Sequence, residues 1–220
     1  MRHWRVRRTR KRLELETVRR RLELLLAGMY GRPIRIGAEQ GSAGSAPTRA
    51  AQDVQVVLPR SLDARDGVDA AAARYRLLAI EQAERVARGT PAEALPADPM
   101  ERDLYAVAEG ASVDRAIAAR ARGLAPTLAR LRATELSQRP AIGRMTAEER
   151  AVELLLRVAL AASDASDALQ SATPAESLAW ARAEAGRIRG DPRASGRYRG
   201  VPAVTLWAND CVALGMRYDD

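Results

Sequence analysis

The sequence has no phenylalanine, and only one lysine, one histidine and one cysteine among 220 residues. A single cysteine, Cys211, cannot form a disulfide within the chain, which excludes a disulfide-stapled scaffold. The single histidine, His3, lies near the N-terminus, which argues against Ser-His or Cys-His catalysis and against a histidine-ligated zinc site. Without phenylalanine, the core has to be built from Leu, Val, Ile and Ala, whose small side chains suit closely packed helices.

Sequence motifs for common catalytic and membrane functions are also missing. There is no CxxC, no GxxxxGK[ST] and no GxGxxG, so the usual zinc, phosphate and dinucleotide sites are not indicated. No charge-free apolar run approaches the roughly 18 residues of a membrane span. Glu14, Glu16 and Glu23 interrupt the basic N-terminal stretch, unlike a secretory or organellar targeting peptide. We therefore expect a cytoplasmic protein that is not an enzyme and has no membrane span, metal or cofactor.

The N-terminal stretch contains the first long apolar stripe of the chain. Its apolar residues recur at spacings of three and four, as on one face of a helix: Leu15, Val18, Leu22, Leu25, Leu26 and Met29. This pattern predicts one helix over residues 2–30. Gly31 and the Arg32-Pro33 pair follow as stop signals.

The same stretch carries the whole net charge of the chain. Through Arg21 it has ten basic and two acidic residues, whereas the remaining residues include 26 of each sign. The candidate partner-binding residues are Arg5, Arg7, Arg8, Arg10, Lys11, Arg12, Arg19, Arg20 and Arg21. Clustered arginines bind polyanions and carboxylates. Three interpretations stay open: an acidic protein surface, a nucleic acid, and a solvated helix end. Few aromatic residues lie between these basic residues, which weakens the nucleic-acid interpretation.

Two short runs rich in β-branched residues follow the first helix. Residues 34–36 and 54–58 predict a small antiparallel β-hairpin. Between them, residues 37–53 contain the Gly/Ser/Ala-rich segment GAEQGSAGSAPT, which predicts a flexible loop. Whether this loop is natural or an engineered linker stays open.

The rest of the chain predicts further helices with clear start signals. We expect helices over residues 68–88, 98–121 and 124–136, and two more that begin after Thr146 and Thr173. On the 98–121 helix, the carboxylates are interspersed with arginines and predict a solvated face: Asp98, Glu101, Asp103, Glu109 and Asp114. Residues 204–207 predict a strand or extended segment.

These elements predict a mainly α fold with about six helices in a bundle-like domain, a minor β-hairpin and a C-terminal extended segment. Residues 1–200 are expected to form the helical domain. Residues 201–220 are expected to form the extended segment, or to begin another domain.

Several segments resemble the N-terminal helical region of NorD/CbbO-type von Willebrand factor A domain proteins, the nitric oxide reductase activation family. The similar segments are RRRLELLLAGMYGRPIRI, ARYRLLAIEQAERVARGT, DPMERDLYAVAEGASVDRAI and RYRGVPAVTLW. The resemblance implies a chaperone-like activation protein that works with a hexameric MoxR-class AAA+ ATPase and a target enzyme. In that family a von Willebrand factor A domain with a DxSxS metal site follows. This chain has no DxSxS, so no metal ligand is carried over.

The sequence and the resemblance together predict an accessory or adaptor domain for protein–protein interaction in an ATPase-linked activation system. The alternative is a nucleic-acid-associated helical protein that uses the basic N-terminal helix.

Overall fold

The computed structural model describes residues 11–39, 56–90, 95–161, 169, 171–194, 197–204, 206 and 207. Within these residues the fold is mainly helical, as the sequence predicts. The helices are α1 (Leu15–Tyr30), α2 (Val68–Arg88), α3 (Pro99–Arg120), α4 (Ala125–Ser137), α5 (Ala147–Ala161) and α6 (Pro174–Arg189). The strands are β1 (Arg12–Glu14), β2 (Ile36–Ala38), β3 (Val56–Leu58) and β4 (Ser61–Asp63).

The contacts within the chain group into two compact units, unit 1 (Met1–Ala83) and unit 2 (Glu84–Asp220). Unit 1 contains the four strands, α1 and most of α2. Unit 2 contains α3 to α6 and the described C-terminal residues. This grouping leaves the predicted domain boundary at residue 200 untested.

The N-terminal helix is shorter than the sequence predicts, because α1 begins at Leu15. Residues 12–14 form β1, which pairs antiparallel with β4 in the register Leu13↔Leu62. Leu15 N donates to Arg60 O at 2.8 Å, so the strand pairing continues up to the helix start. The exposed-buried-exposed pattern of β1 has the period of a strand. A partner almost 50 residues away decides its conformation, which local periodicity cannot reveal.

The apolar seam of α1 is confirmed in its central part. Leu15, Val18, Leu22 and Leu26 are buried, while Leu25 and Met29 are only partly buried. The helix ends where the sequence predicts, because Gly31 has a left-handed φ of 67° and its N–H donates to Ala27 O at 3.0 Å. A glycine takes this conformation without the steric cost that a side chain would meet.

The predicted β pair forms with the opposite orientation. Strands β2 and β3 are parallel, with Ile36 opposite Val56, so the predicted antiparallel hairpin is wrong. A long connection such as residues 39–55 allows a parallel crossover that a short turn would forbid. Gly37 and Ala38 belong to β2, so the predicted loop begins later than residue 37. Its residues 40–53 lie outside the described part of the chain.

Helix α2 has the predicted limits, and some of its charged side chains are buried. Arg74 is exposed, whereas Glu81 and Glu84 are buried. In unit 1, the fully buried Tyr75 donates its hydroxyl to Pro59 O at 2.8 Å. Burial and the nearby charge of Glu14 raise the pKa of Tyr75 to about 12.

The centre of unit 2 is α3, which packs against α4, α5 and α6. One buried hydrophobic cluster of this unit joins α3, α5 and α6: Met100, Leu104, Tyr105, Val152, Ala181, Ala185 and Ile188. The predicted helix starts are confirmed by their caps. Asp98 accepts from Glu101 N at 3.0 Å, and Thr173 accepts from Glu176 N at 3.2 Å. Thr146 and Glu149 form a reciprocal capping box.

The described C-terminal residues form no strand, and the extended conformation expected for residues 201–220 stays a prediction. Val204, Leu206 and Trp207 are buried, and Trp207 N closes a turn by donating to Val204 O at 2.9 Å. Neither sheet of the described residues includes them. Residue 205 and the residues after 207 are not among the residues that the structure describes.

Candidate functional site

The basic run that the sequence singles out divides between two elements and a part outside the described residues. Arg5, Arg7, Arg8 and Arg10 belong to residues 1–10, which are not described. Lys11 and Arg12 lie at β1, and Arg12 Nη2 donates to Ser61 O at 3.2 Å. The remaining three candidates, Arg19, Arg20 and Arg21, lie on α1. The described candidates are therefore not on one continuous helical face.

Their solvent exposure differs. Arg19 is partly buried and pairs with Glu16 on the same helix. Arg20 is exposed and lies 4.0 Å from Glu23, a contact that contributes little to folding in water. Arg21 is also exposed. The exposed arginines and Lys11 are therefore accessible to a partner.

A buried carboxylate in unit 2 is the centre of a polar cluster. The side chain of Glu109 is fully buried on α3. Arg88 donates to both of its oxygens, at 2.9 and 3.0 Å. The hydroxyls of Thr90 and Ser177 each donate to it at 2.7 Å. Burial alone would raise the pKa of Glu109, but these hydrogen bonds outweigh it and lower the pKa.

The cluster continues through a chain of serine hydroxyls. Ser177 is hydrogen-bonded to Ser171, and Ser171 to Ser112 at 2.9 Å. Arg88 also donates to Ser171 O at 3.3 Å. Four donor bonds therefore converge on Glu109, and the network joins α3 to the start of α6.

A second buried carboxylate, Glu153 on α5, is held in the same way. Arg139 and Arg157 both donate to it, and Arg157 Nε lies 2.8 Å from Oε1. Although burial opposes the charge, the two guanidinium groups lower the pKa of Glu153. Each carboxylate is charged and paired, an arrangement that fixes helix positions.

Two further carboxylates of α3 bind the C-terminal segment. Asp103 accepts from the Tyr198 hydroxyl at 2.5 Å, and Asp114 accepts from Trp207 Nε1 at 3.2 Å. Burial raises the pKa of both, to about 6 for Asp114.

The predicted solvated face of α3 is therefore wrong for Glu109 and Asp114, which are 0% and 1% exposed. Interspersed arginines suggest solvent exposure, but here the partners of the carboxylates come from distant parts of the chain. One sequence signal was available. The segment LYAVAEGASV, residues 104–113, contains a single charge in an otherwise uncharged run, as expected for a helix that is buried on all sides.

A groove of about 660 Å³ lies beside the start of α3. Its lining residues are Asp98, Pro99, Met100, Glu148, Arg189, Ala194 and Tyr198. Arg189 pairs with Asp98 at 2.5 Å and lies 3.9 Å from Glu101. The cation at the groove is therefore already neutralised within unit 2.

Within the described residues, no group of three or more His, Cys, Asp or Glu side chains is placed to hold a metal ion. None of the described helices combines the length and the apolar composition that a membrane crossing needs.

Comparisons with known proteins add no family assignment. No family model, curated protein or solved structure matches the chain. The resemblance to the NorD/CbbO group thus stays a prediction.

Proposed function

We propose that the chain is a non-enzymatic adaptor that binds an acidic protein surface through the basic residues of unit 1. Its partners would be a hexameric MoxR-class AAA+ ATPase and the enzyme which that ATPase activates, in the cytoplasm, as the resemblance to NorD/CbbO proteins implies. The observation that carries the proposal is the unequal distribution of charge between the two units.

Unit 1 has 17 basic and 9 acidic residues, a net charge of +8, whereas unit 2 has 19 of each and is neutral. Unit 2 uses part of its charge internally, since Glu109 and Glu153 are buried against arginines. Lys11, Arg20 and Arg21 of unit 1 are exposed and contribute to its net positive charge. An external anionic surface can neutralise this charge.

The geometry of the buried carboxylates supports an adaptor over an enzyme. Glu109 accepts four bonds from protein donors, so its lone pairs are occupied. A general base has to reach a substrate proton, and this carboxylate is both saturated and fully buried. Its role is to position helices.

A charge-reversal experiment tests the proposal. The variant Lys11→Glu, Arg12→Glu, Arg20→Glu, Arg21→Glu is titrated against a MoxR-class hexamer at two ionic strengths. We expect the association constant to fall by on the order of tenfold at low salt and by less at high salt. Dissolved ions screen the attraction between exposed charges, and this screening becomes stronger as the salt concentration rises.

A matched control reverses four exposed arginines of unit 2: Arg122, Arg130, Arg144 and Arg150. It changes the net charge equally and should bind the hexamer much more tightly than the unit 1 variant. Equal loss in both variants would show a non-specific charge effect. A loss of DNA binding with unchanged ATPase binding in the unit 1 variant would favour the nucleic-acid alternative.

A further inference from the structure

Helix α5 has apolar side chains on its outer side as well as on its buried side. The buried side carries four apolar residues: Val152, Leu156, Ala159 and Leu160. On the opposite side, Leu154 and Val158 are 46% and 49% exposed and lie about one helical turn apart. They are two of the four large apolar side chains that are exposed among the described residues. The folding of unit 2 does not account for the apolar character of this outer side.

The apolar residues continue along the whole outer side of the helix. Five of them, at alternating spacings of four and three residues, form what we name the α5 stripe: Ala147, Ala151, Leu154, Val158 and Ala161. Each of the five is exposed or partly exposed. Two helices that pack along a shared seam have this spacing, whereas the outer face of a helix is normally polar. Single exposed apolar residues are common, but a continuous line of them indicates an interaction surface.

Two arginines border the stripe along one edge. Arg150 is exposed, and its guanidinium donates to Met145 O at 3.4 Å, a contact that does not neutralise its charge. Arg157 donates to Glu153, which also accepts from Arg139, so these two cations and one anion leave one positive charge in excess. The side chain of Arg157 is 30% exposed and that of Arg139 only 4%. The excess charge is therefore accessible at Arg157.

The carboxylates of α5 do not offset these charges at the stripe. Glu148 and Glu153 are buried. Glu149 is held at the start of the helix, where it accepts from Thr146 N at 3.0 Å and from Arg199 N at 3.4 Å. The outer side of α5 is thus apolar along its centre and positively charged along one edge.

We propose that the α5 stripe is the docking site for an amphipathic helix of another protein, a helix with large apolar residues along its seam and Asp or Glu beside them. Leu154 and Val158 form the centre of this interface. The alanines towards its two ends let the helix backbones approach closely. The acidic residues of the partner lie opposite Arg150 and Arg157. The inference does not rest on the proposed function, because it uses no residue of unit 1, and it gives the chain a second binding surface.

The charge at the edge of the stripe selects an acidic helix over a second copy of this chain. A second copy would bring the same two arginines to the interface, and like charges placed opposite each other oppose association. Where two helices share an apolar seam, the charged residues beside the seam determine the choice of partner. An acidic helix gains attraction at the positions where a second copy meets repulsion.

Two synthetic peptides of about three heptads each test the site. Both have leucine at the seam positions, and the residues beside the seam are glutamate in one peptide and lysine in the other. The like charges within each peptide keep it from pairing with itself. Each labelled peptide is titrated with the full chain, and its fluorescence anisotropy is measured.

We expect the glutamate peptide to bind about tenfold more tightly than the lysine peptide at low salt, with a smaller ratio at high salt. Equal binding of the two peptides, or no saturable binding of the glutamate peptide, would overturn the proposal.

The variant Leu154→Gln, Val158→Gln removes the apolar centre of the stripe. It should weaken binding of the glutamate peptide about tenfold, because burial of these two side chains supplies much of the affinity. Its thermal unfolding and helical circular dichroism should match the parent, since both positions are exposed and glutamine is a good helix former. The control Leu24→Gln, Val68→Gln replaces the other two exposed large apolar residues and should bind like the parent. Equal binding by the two variants, or unfolding of the stripe variant alone, would contradict the docking site.

A charge reversal at the edge of the stripe tests the acidic character of the partner. Arg150→Glu should weaken binding of the glutamate peptide about threefold and strengthen binding of the lysine peptide by a similar factor. Arg157 is left unchanged because it holds the buried Glu153. The control Arg130→Glu changes an exposed arginine of α4 and should leave both affinities close to those of the parent. The same change in both variants would mean that net charge alone governs binding, and the selection of an acidic partner by the stripe would be wrong.

Two other occupancies are separated by the same variants. The basic residues of unit 1 could attract the glutamate peptide, so the variant Lys11→Glu, Arg12→Glu, Arg20→Glu, Arg21→Glu is titrated as well and should retain most of the binding. Loss of binding there, with binding retained in the stripe variant, would place the peptide on unit 1 and overturn the proposal. Sedimentation equilibrium tests for a second copy. A parent dimer that the stripe variant converts to a monomer would show that the chain covers its own stripe, which would also overturn the proposal.

Discussion

Unit 1 and unit 2 differ in what they do with their charged residues. The described cations of unit 1 lie largely at the surface, and its buried residues are mainly apolar, as along the inner side of α1. Unit 2 is neutral overall, yet it buries the carboxylates Glu109 and Glu153 against arginines. The comparison shows that net charge is a poor guide to where electrostatics matter for folding. Unit 2 buries paired charges although it is neutral, whereas unit 1 exposes Lys11, Arg20 and Arg21.

The largest effect is expected when one half of a buried pair is removed. Arg88→Met leaves the Glu109 carboxylate without its guanidinium partner and should lower the free energy of unfolding by about 3–5 kcal/mol. Urea denaturation measures the loss. The control Arg187→Met breaks the exposed pair with Glu184 and should cost less than about 1 kcal/mol. Similar losses in both variants would mean that burial does not determine how much a charged pair contributes to the stability of unit 2.

A second substitution that leaves a buried charge unpaired tests the apolar core of unit 1. Leu22→Asp places an unpaired charge in the buried seam of α1 and should destabilise the chain by roughly 2–4 kcal/mol. Leu24→Asp is a matched control two residues away, because Leu24 is 56% exposed. Thermal melts of the two variants should differ clearly. Equal melting temperatures would mean that the seam is not part of the core.

A smaller effect is expected from acid. The pKa of Glu109 and that of Glu153 are lowered from an ordinary 4.5, so the stability they contribute is complete above that value and is lost as the pH falls through the lowered values. Glu109→Gln should be less stable than the parent near neutral pH but lose less stability on acidification. Glu16→Gln, at an exposed position of unit 1, should follow the parent. A parallel acid response of the parent and Glu109→Gln would contradict the role of this carboxylate.

The smallest effect on stability is expected at the basic residues of unit 1. Lys11→Glu, Arg20→Glu, Arg21→Glu should change the free energy of unfolding by less than about 1 kcal/mol, because exposed charges contribute little to folding. Urea denaturation at low salt measures the change. A larger loss would mean that these residues support the fold, and their availability to a partner would have to be reconsidered.

Most helices could be predicted from the sequence because their signals are local. The limits of α2 and the starts of α3, α5 and α6 follow from apolar periodicity and from caps such as Asp98 and Thr146. The start of α1 could not be predicted in this way. Arg12 and Glu14 are compatible with a helix, but their segment pairs with β4 and forms a strand instead.

The candidate site was predictable only in its exposed part. A run of basic residues near the N-terminus is visible in the sequence. Of its described members, Arg19 is partly buried, and four are exposed: Lys11, Arg12, Arg20 and Arg21. The buried network around Glu109 was not predicted, since Arg88 and Ser177 come from other helices. Nor could the sequence show that Trp207 lies on Gly110, because nothing local relates the two positions.

The sequence by itself determined the helical class, most of the helix limits and the excess of positive charge near the N-terminus, because propensity, capping and charge are properties of neighbouring residues. The tertiary structure alone decided the orientation of the paired strands, the burial of Glu109 and Asp114, and the contacts of Tyr198 and Trp207 with α3. These features depend on which distant groups meet, since a carboxylate is buried only where donors from elsewhere in the chain compensate its lost hydration.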